Sequence, residues 1–195
     1  MQETNTPTKI KKPKGLQAPR GMRDILPEEQ KYWRYVLRKA ESLLEDYAFE
    51  KISTPVLEFT DLFLRGTGES TDIIEKEIYN FKTKGGDDLA LRPEGTPAVV
   101  RAYIENGMQV RPHPVKLYYV EPMFRHDQPQ QGRYRQFFQL GVETLGDSSE
   151  AIDAELLFLG YKILNSLGLG NYNIHINSIG DQNCRPAYIR ALKDY

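Results

Sequence analysis

The segment Val115–Gly146, VKLYYVEPMFRHDQPQQGRYRQFFQLGVETLG, restricts the possible folds of this chain more than any other stretch. Val115–Phe124 is dense in β-branched and aromatic residues and predicts a strand. Gln136–Leu145 predicts the return strand, and Arg125–Arg135 predicts a polar loop holding Pro129, Gly132, Arg125, Arg133 and Arg135. Side chains along a strand alternate between its two faces. One face of the return strand therefore collects Phe138, Leu140 and Val142, an ordinary core stripe. The other collects Arg135, Phe137, Gln139, Gly141 and Glu143. A glycine inside a strand marks close approach of a ligand or of another backbone, so Gln139 and Glu143 flank a polar notch at Gly141. Arginines at the open end can fork onto phosphate oxygens, and Phe137 offers a flat face to a base. A solvated outer sheet face would show the same alternation. The loop is longer and richer in arginine than a plain hairpin needs, which favours an anionic-ligand site.

The rest of the composition sets limits on that reading. At 195 residues, 39% hydrophobic and 27% charged, the chain can bury one sizeable core and has the balance of a soluble globular protein. A net charge of −1 argues against a surface given over wholly to nucleic acid, while leaving room for a local basic groove. The single cysteine, Cys184, permits no internal disulfide and is consistent with a reducing, cytoplasmic setting. No apolar run approaches the length of a membrane span, and the spacing of His113, His126 and His175 suggests no zinc site.

Residues 1–19 read as a flexible basic extension, with Lys9, Lys11, Lys12 and Lys14 among prolines. Order is expected from Arg20 onward. Pro27, Glu28 and Glu29 form a helix start. Trp33, Val36, Leu37, Ala40, Leu43, Leu44 and Tyr47 continue it at three- and four-residue spacing. A strand over Phe49–Leu57 follows, with Pro55 pointing to a sheet edge or an interface. Asp61–Lys76 reads as a loop between short helices, and Ile78–Phe81 and Asp88–Leu91 as short strands.

Thr96 is predicted to cap a helix with Pro97 in its first turn, running to Gly107. Glu94 then sits at a strand-to-helix turn, where its carboxylate either caps the helix dipole or points into a cleft. Ser148 or Ser149 caps another helix ending near Gly168, with Ile152, Leu156, Leu159, Ile163 and Leu167 on its core side. Asn173–Asn177 reads as a strand, and Asp181 as the start of a last helix. No glycine-rich phosphate loop or dinucleotide fingerprint is present in the sequence.

MFRHDQPQQGRYRQFFQLGVE resembles motif 2 of the class II aminoacyl-tRNA synthetases, and specifically of the histidyl-tRNA synthetase family. RGMRDILPEE near the start, ALRPEGT at Ala90–Thr96 and NSIG at Asn177–Gly180 resemble the same family in the same order. The resemblance implies an α+β fold, an antiparallel sheet flanked by helices, and an incomplete class II catalytic core over residues 20–195. Motifs 1 and 2 would be present, with motif 3 and an anticodon-binding domain absent and the isolated fragment inactive. It implies activation of L-histidine with ATP and magnesium to histidyl-adenylate, transfer to tRNA(His), and a cytoplasmic homodimer formed through motif 1.

Residue by residue, Arg125 resembles the catalytic ligand of the ATP α-phosphate and Arg133 the ligand of the outer phosphates. Asp127 resembles the group near the adenine amino group, and Phe137 the platform under the base. Glu94 and Thr96 resemble the residues that hold the α-ammonium of histidine, Gln139 and Glu143 those that bind the rest of it, and Gln130 a tRNA contact. Gln128 stands where many relatives have arginine, and Phe138 where many have histidine. Two alternatives are a non-catalytic histidine-sensing regulatory subunit of ATP phosphoribosyltransferase and a stand-alone tRNA- or protein-binding fragment. The intact RYRQF segment favours the synthetase.

Overall fold

The computed structural model describes residues 15–66, 77–177 and 180–195. Most of the basic extension, the second half of the Asp61–Lys76 segment and part of NSIG therefore lie outside the described residues. Helix α1, Gln30–Asp46, begins one turn after Pro27, because residues 27–29 form a turn rather than helix. Its core side is closed by Ala40 and Leu44, both fully buried. The predicted strand Phe49–Leu57 is corrected to two short ones, β1 (Glu50–Lys51) and β2 (Leu57–Phe59), which belong to different sheets. Pro55 lies between them, where the backbone leaves one ladder for the other. A proline, having no N–H to donate, suits that break.

Helix α2 spans Thr60–Gly66. Strands β3 (Tyr79–Lys82) and β4 (Asp88–Leu91) flank the turn at Gly85-Gly86. Helix α3, Thr96–Glu105, leads through a short 3-10 turn at Met108–Val110 into β5 (Val115–Phe124) and β6 (Gln136–Leu145). Helix α4, Glu150–Ser166, starts at Ser149, whose side chain accepts from the Ala151 amide as an N-cap should. Asn173–Asn177 belongs to neither sheet, so the strand expected there is not among the strands of the described residues. The last helix, α5, spans Arg185–Asp194 and begins later than expected. Asp181 acts ahead of it, accepting from the Asn183 and Cys184 amides. Those amide bonds, those of Cys184 foremost, depress the Asp181 carboxyl to about 2.

Two three-stranded sheets result, ordered β1-β5-β6 and β2-β4-β3. β1 runs parallel to β5, and every other pairing is antiparallel. The long β5–β6 hairpin pairs Val115 with Leu145 and Phe124 with Gln136. Alternation along β5 divides the core. Val115, Leu117, Tyr119 and Met123 face α3 with Val99, while Tyr118 faces α1 and α4 with Leu44, Phe49 and Leu159. Lys116 secures the helical side, its ammonium 2.8 Å from both carboxylate oxygens of Glu155 on α4.

The two sheets meet at Arg92, which is fully buried at the end of β4. Its Nε donates to the Pro122 carbonyl at 2.9 Å, Nη1 to the Thr54 carbonyl at 2.8 Å, and Nη2 to Glu121 at 2.7 Å. The Arg92 amide donates to Val56, and its carbonyl accepts from Phe124. Arg92→Met keeps the volume but leaves Glu121 and three carbonyls of the sheet junction without their donor. The expected loss is about 3–5 kcal/mol of folding stability, the scale for breaking a buried ion pair. Chemical denaturation measures it, and a loss below 1 kcal/mol would show that Arg92 does not tie the sheets together.

Candidate active site

The site is built on the face of the β5–β6 hairpin that turns toward α3. The register places Tyr119 opposite Gly141, Glu121 opposite Gln139, Leu117 opposite Glu143 and Met123 opposite Phe137. The turn between β4 and α3, carrying Pro93, Glu94, Gly95 and Thr96, closes one side of this face. Pro93 follows directly on the anchored Arg92, so the turn inherits a fixed position.

The notch expected at Gly141 exists, but a side chain of the chain itself occupies it. The ring of Tyr119 lies against Gly141 on one strand and Gly95 in the turn, and a β-carbon on either glycine would overlap it. Tyr119 is 2% exposed, and its hydroxyl reaches the polar groups around it. It donates to Glu143 Oε1 at 3.4 Å and accepts from Gln139 Nε2 at 3.5 Å. Thr96 Oγ1 donates to the same Glu143 oxygen at 2.7 Å. Thr96 is the first residue of α3 and does not cap it. Gly95 holds the cap position with no side-chain bond, which leaves the threonine hydroxyl to reach across to β6. The structure thus brings Thr96, Gln139 and Glu143 together, with Glu94 beside them.

Burial raises the Glu143 carboxyl above its ordinary value and the nearby Glu94 charge adds to this, while the bonds from Thr96 and Tyr119 oppose it. Tyr119 is pushed up to about 12, first by burial and then by the Glu143 charge. A half-buried carboxylate held next to a second carboxylate favours a cationic or N–H-donating partner.

Around the hairpin loop, Arg125 donates from Nε to the Pro93 carbonyl at 2.9 Å and lies over Phe137, 5.2 Å from the ring centre. Its terminal nitrogens bond no residue among those described, so a forked donor pair stays available above an aromatic face. Asp127 and Arg133, each expected to meet a different part of a nucleotide, are instead paired with each other. Gln130 is exposed and bonded to Arg133 only through the backbone. Arg135 pins the loop: its Nε donates to the Asp127 carbonyl at 3.0 Å and its amide to Gly21 at 2.7 Å.

The stripe Phe138, Leu140 and Val142 is corrected. Phe138 is 42% and Leu140 36% exposed, and only Val142 joins the core beneath α1 and α4. Phe138 contacts the Trp33 ring edge-on at 4.9 Å, which leaves much of the phenyl uncovered. A depression beside the β4–α3 turn is lined by Leu62, Glu94, Thr96, Val100, Arg101 and Ile104, and neither Gln139 nor Glu143 reaches it. Tyr119, Glu121 and Arg92 escaped the sequence reading. The parity of β5 puts Tyr119 and Glu121 on the face of Gln139 and Glu143 once the hairpin register is known. No sequence signal separates the buried Arg92 from a solvated one.

Solved structures share this fold. The apo histidyl-tRNA synthetase of S. aureus superposes with a TM-score of 0.75 at 44% identity, over 92% of this chain and 42% of that one. A Bacillus halodurans structure described as an ATP phosphoribosyltransferase regulatory subunit/histidyl-tRNA synthetase gives 0.70 at 27% identity, over 83% and 40%. The fold is that of a class II aminoacyl-tRNA synthetase catalytic core, of which this chain covers a part. A family model described as Histidyl-tRNA synthetase matches residues 21–181. The chain is 54% identical over 177 residues to the histidine–tRNA ligase of Dictyoglomus turgidum and 50% identical over 179 residues to that of Dehalococcoides mccartyi. It belongs to the histidyl-tRNA synthetase family. It spans 43% of the length of these two relatives.

Glu143 gives the site a pH signature. Its carboxyl is raised in the folded state, so folding disfavours the ionised form. The resulting penalty is absent below the unfolded value near 4.5 and fully present above the folded one. Glu143→Gln removes it, and the variant should melt above the unsubstituted chain at pH 7, with the gap closing near pH 4. Calorimetry at the two pH values checks this, and an unchanged gap would mean that Glu143 is not strained by burial.

Proposed function

We propose that this chain provides the motif 1 and motif 2 part of a histidine–tRNA ligase, which activates L-histidine with ATP and passes it to tRNA(His) in the cytoplasm. The observation that carries the reading is the half-buried, unfavourably ionised Glu143, held by Thr96 and Tyr119 beside Gln139 on the same face of β6 as Phe137, over which the free fork of Arg125 lies. A ring N–H of the substrate imidazole satisfies Glu143, and Gln139 meets the same amino acid. Glu94 and Thr96 take the α-ammonium, for which Glu94 supplies the charge. Bringing the histidine carboxylate to the ATP α-phosphate sets two anions together, so cationic donors must be in place beforehand. Arg125 fills that role at the α-phosphate and is the catalytic residue of the set.

The adenine base rests on Phe137. Arg133 turns from Asp127 to the outer phosphates, which frees Asp127 for the adenine amino group. Gln130, exposed at the loop tip, contacts tRNA. Magnesium enters with the ATP phosphates. Among the described residues no group of three His, Cys, Asp or Glu side chains could hold a metal ion by itself. The regulatory-subunit alternative is less favoured, since the likeness to the structure so described is 27% against about 50% to the ligases. No helix among the described residues is long and apolar enough to cross a membrane.

In isothermal titration of the complete reading frame, Glu143→Gln should cost roughly 1.5–3 kcal/mol of histidine affinity, the scale of a hydrogen bond to a charged group. ATP affinity should hardly move. Equal losses for both ligands would assign Glu143 to the fold instead of the substrate. Motif 1 is further proposed to form a homodimer, supported by the exposed apolar side chains Val36, Val56, Leu57 and Phe59 on α1 and around β2. Sedimentation of the same protein at micromolar concentration should show a dimer that Leu57→Glu with Phe59→Glu converts to monomer. A monomer before substitution would remove the interface.

A further inference from the structure

We infer that Tyr119 is a positioning residue for amino-acid recognition, its hydroxyl joining Gln139 to Glu143 and its ring, slotted between Gly95 and Gly141, setting the gap between the β4–α3 turn and β6. This rests on the reading of the site as a histidine pocket and adds to it a residue that the family resemblance did not bring forward.

The ring has almost no freedom. Two glycines from different elements lie on it, and neither position could carry a β-carbon without displacing it. Both backbones therefore approach Tyr119 as closely as they can, and the ring acts as a spacer between them. Tyr119 is also part of the cluster formed by Val99, Val115, Leu117 and Met123, so its base is held from below. A rigid ring fixes where the hydroxyl lies. That oxygen is shared, accepting from the Gln139 amide and donating to Glu143 Oε1. Thr96 donates to the same carboxylate oxygen.

The consequence is orientation. With both protein donors on Oε1, Glu143 Oε2 has no donor among the described residues and stays open to a ligand N–H. With its amide nitrogen turned to Tyr119, Gln139 presents its carbonyl oxygen as an acceptor. Two acceptors are thus aimed outward by one hydroxyl, on the side where an amino acid would lie. Without the hydroxyl, the Gln139 amide can rotate and the Glu143 carboxylate keeps only Thr96. The phenyl spacer stays in place, so the fold and the Arg125 side of the site are unaffected.

The test is ATP–pyrophosphate exchange with the complete reading frame, comparing the unsubstituted enzyme with Tyr119→Phe, Glu143→Gln and the double variant. Tyr119→Phe should raise the KM for histidine about three- to tenfold, the scale of one or two long hydrogen bonds. The KM for ATP and kcat at saturating histidine should stay within about twofold. The double variant should show less than the product of the two single effects, because both substitutions remove the same contact. Gly141→Ala, which forces the ring out while keeping the hydroxyl, should raise the histidine KM at least as far. An unchanged histidine KM in Tyr119→Phe, equal changes in both KM values, or fully multiplicative effects in the double variant would each overturn the positioning role. Absence of histidine-dependent exchange in the unsubstituted enzyme would overturn the pocket assignment together with it.

Discussion

The guanidinium of Arg92 is the contact through which the two sheets hold each other. Taking a guanidinium fully out of water costs several kcal/mol unless its N–H groups are saturated with acceptors. Arg92 meets that condition with acceptors drawn from two places: Thr54 and Pro55 before β2, and Pro122 and Glu121 on β5. The requirement works in both directions. The arginine can be buried only if those segments stand where they do, and they stand there because each carbonyl finds its donor. Such a contact defines a geometry more than it adds net stability. Its reach extends into the site, since the next residue, Pro93, offers its carbonyl to Arg125 at 2.9 Å. Arg125 is thereby referenced to the sheet junction in two steps.

The loop cations differ in how far their charge is committed. Arg135 is used to attach the loop to Gly21, and Gly21 has room for no side chain beside it. Arg133 is held by Asp127, although its side chain remains 55% exposed and free to rearrange. Arg125 keeps its terminal nitrogens without a bond among the described residues, while its Nε is fixed on Pro93 and its guanidinium lies over Phe137. A donor held in place before the charge develops does not have to reorganise when it does. The ordering therefore separates an arginine that is ready from one that must change partners, which is what binding a nucleotide in stages would need.

The sequence made some of this legible and hid the rest for physical reasons. β5, β6 and β4 fall where alternation and turn residues place them, because long strands with β-branched and aromatic residues leave few alternatives. The segment after α1 was harder. Phe49–Leu57 has a continuous strand composition, yet the chain changes sheets within it, and that choice is made by Arg92, whose partners are distant in sequence. Thr96 satisfies the pattern of an N-cap, but its hydroxyl donates to a half-buried carboxylate on β6 instead of accepting from the local amides. The Phe138–Leu140–Val142 stripe was assigned by parity alone. Parity states which residues share a face and not how well the face is covered, and here α1 reaches Phe138 only through the edge of Trp33. Gly141 carried a true signal whose object could not be read, since the sequence cannot say whether a ligand or a tyrosine ring makes the close approach.

That ambiguity bears on how the site works. A notch filled by the chain's own side chain is organised before any ligand arrives, whereas an open notch would collapse or fill with water. The arrangement has a cost located at Glu143, whose carboxyl is raised by burial and by Glu94 more than Thr96 and Tyr119 can offset. Replacing the charge would relieve that cost and also remove the feature that distinguishes an N–H donor from an isosteric apolar group. An unpaired buried acceptor discriminates strongly against ligands that cannot donate to it. If Glu143 binds an N–H donor as proposed, its ionisation penalty and its selectivity for that donor have a single origin, and a substitution that relieves the one removes the other.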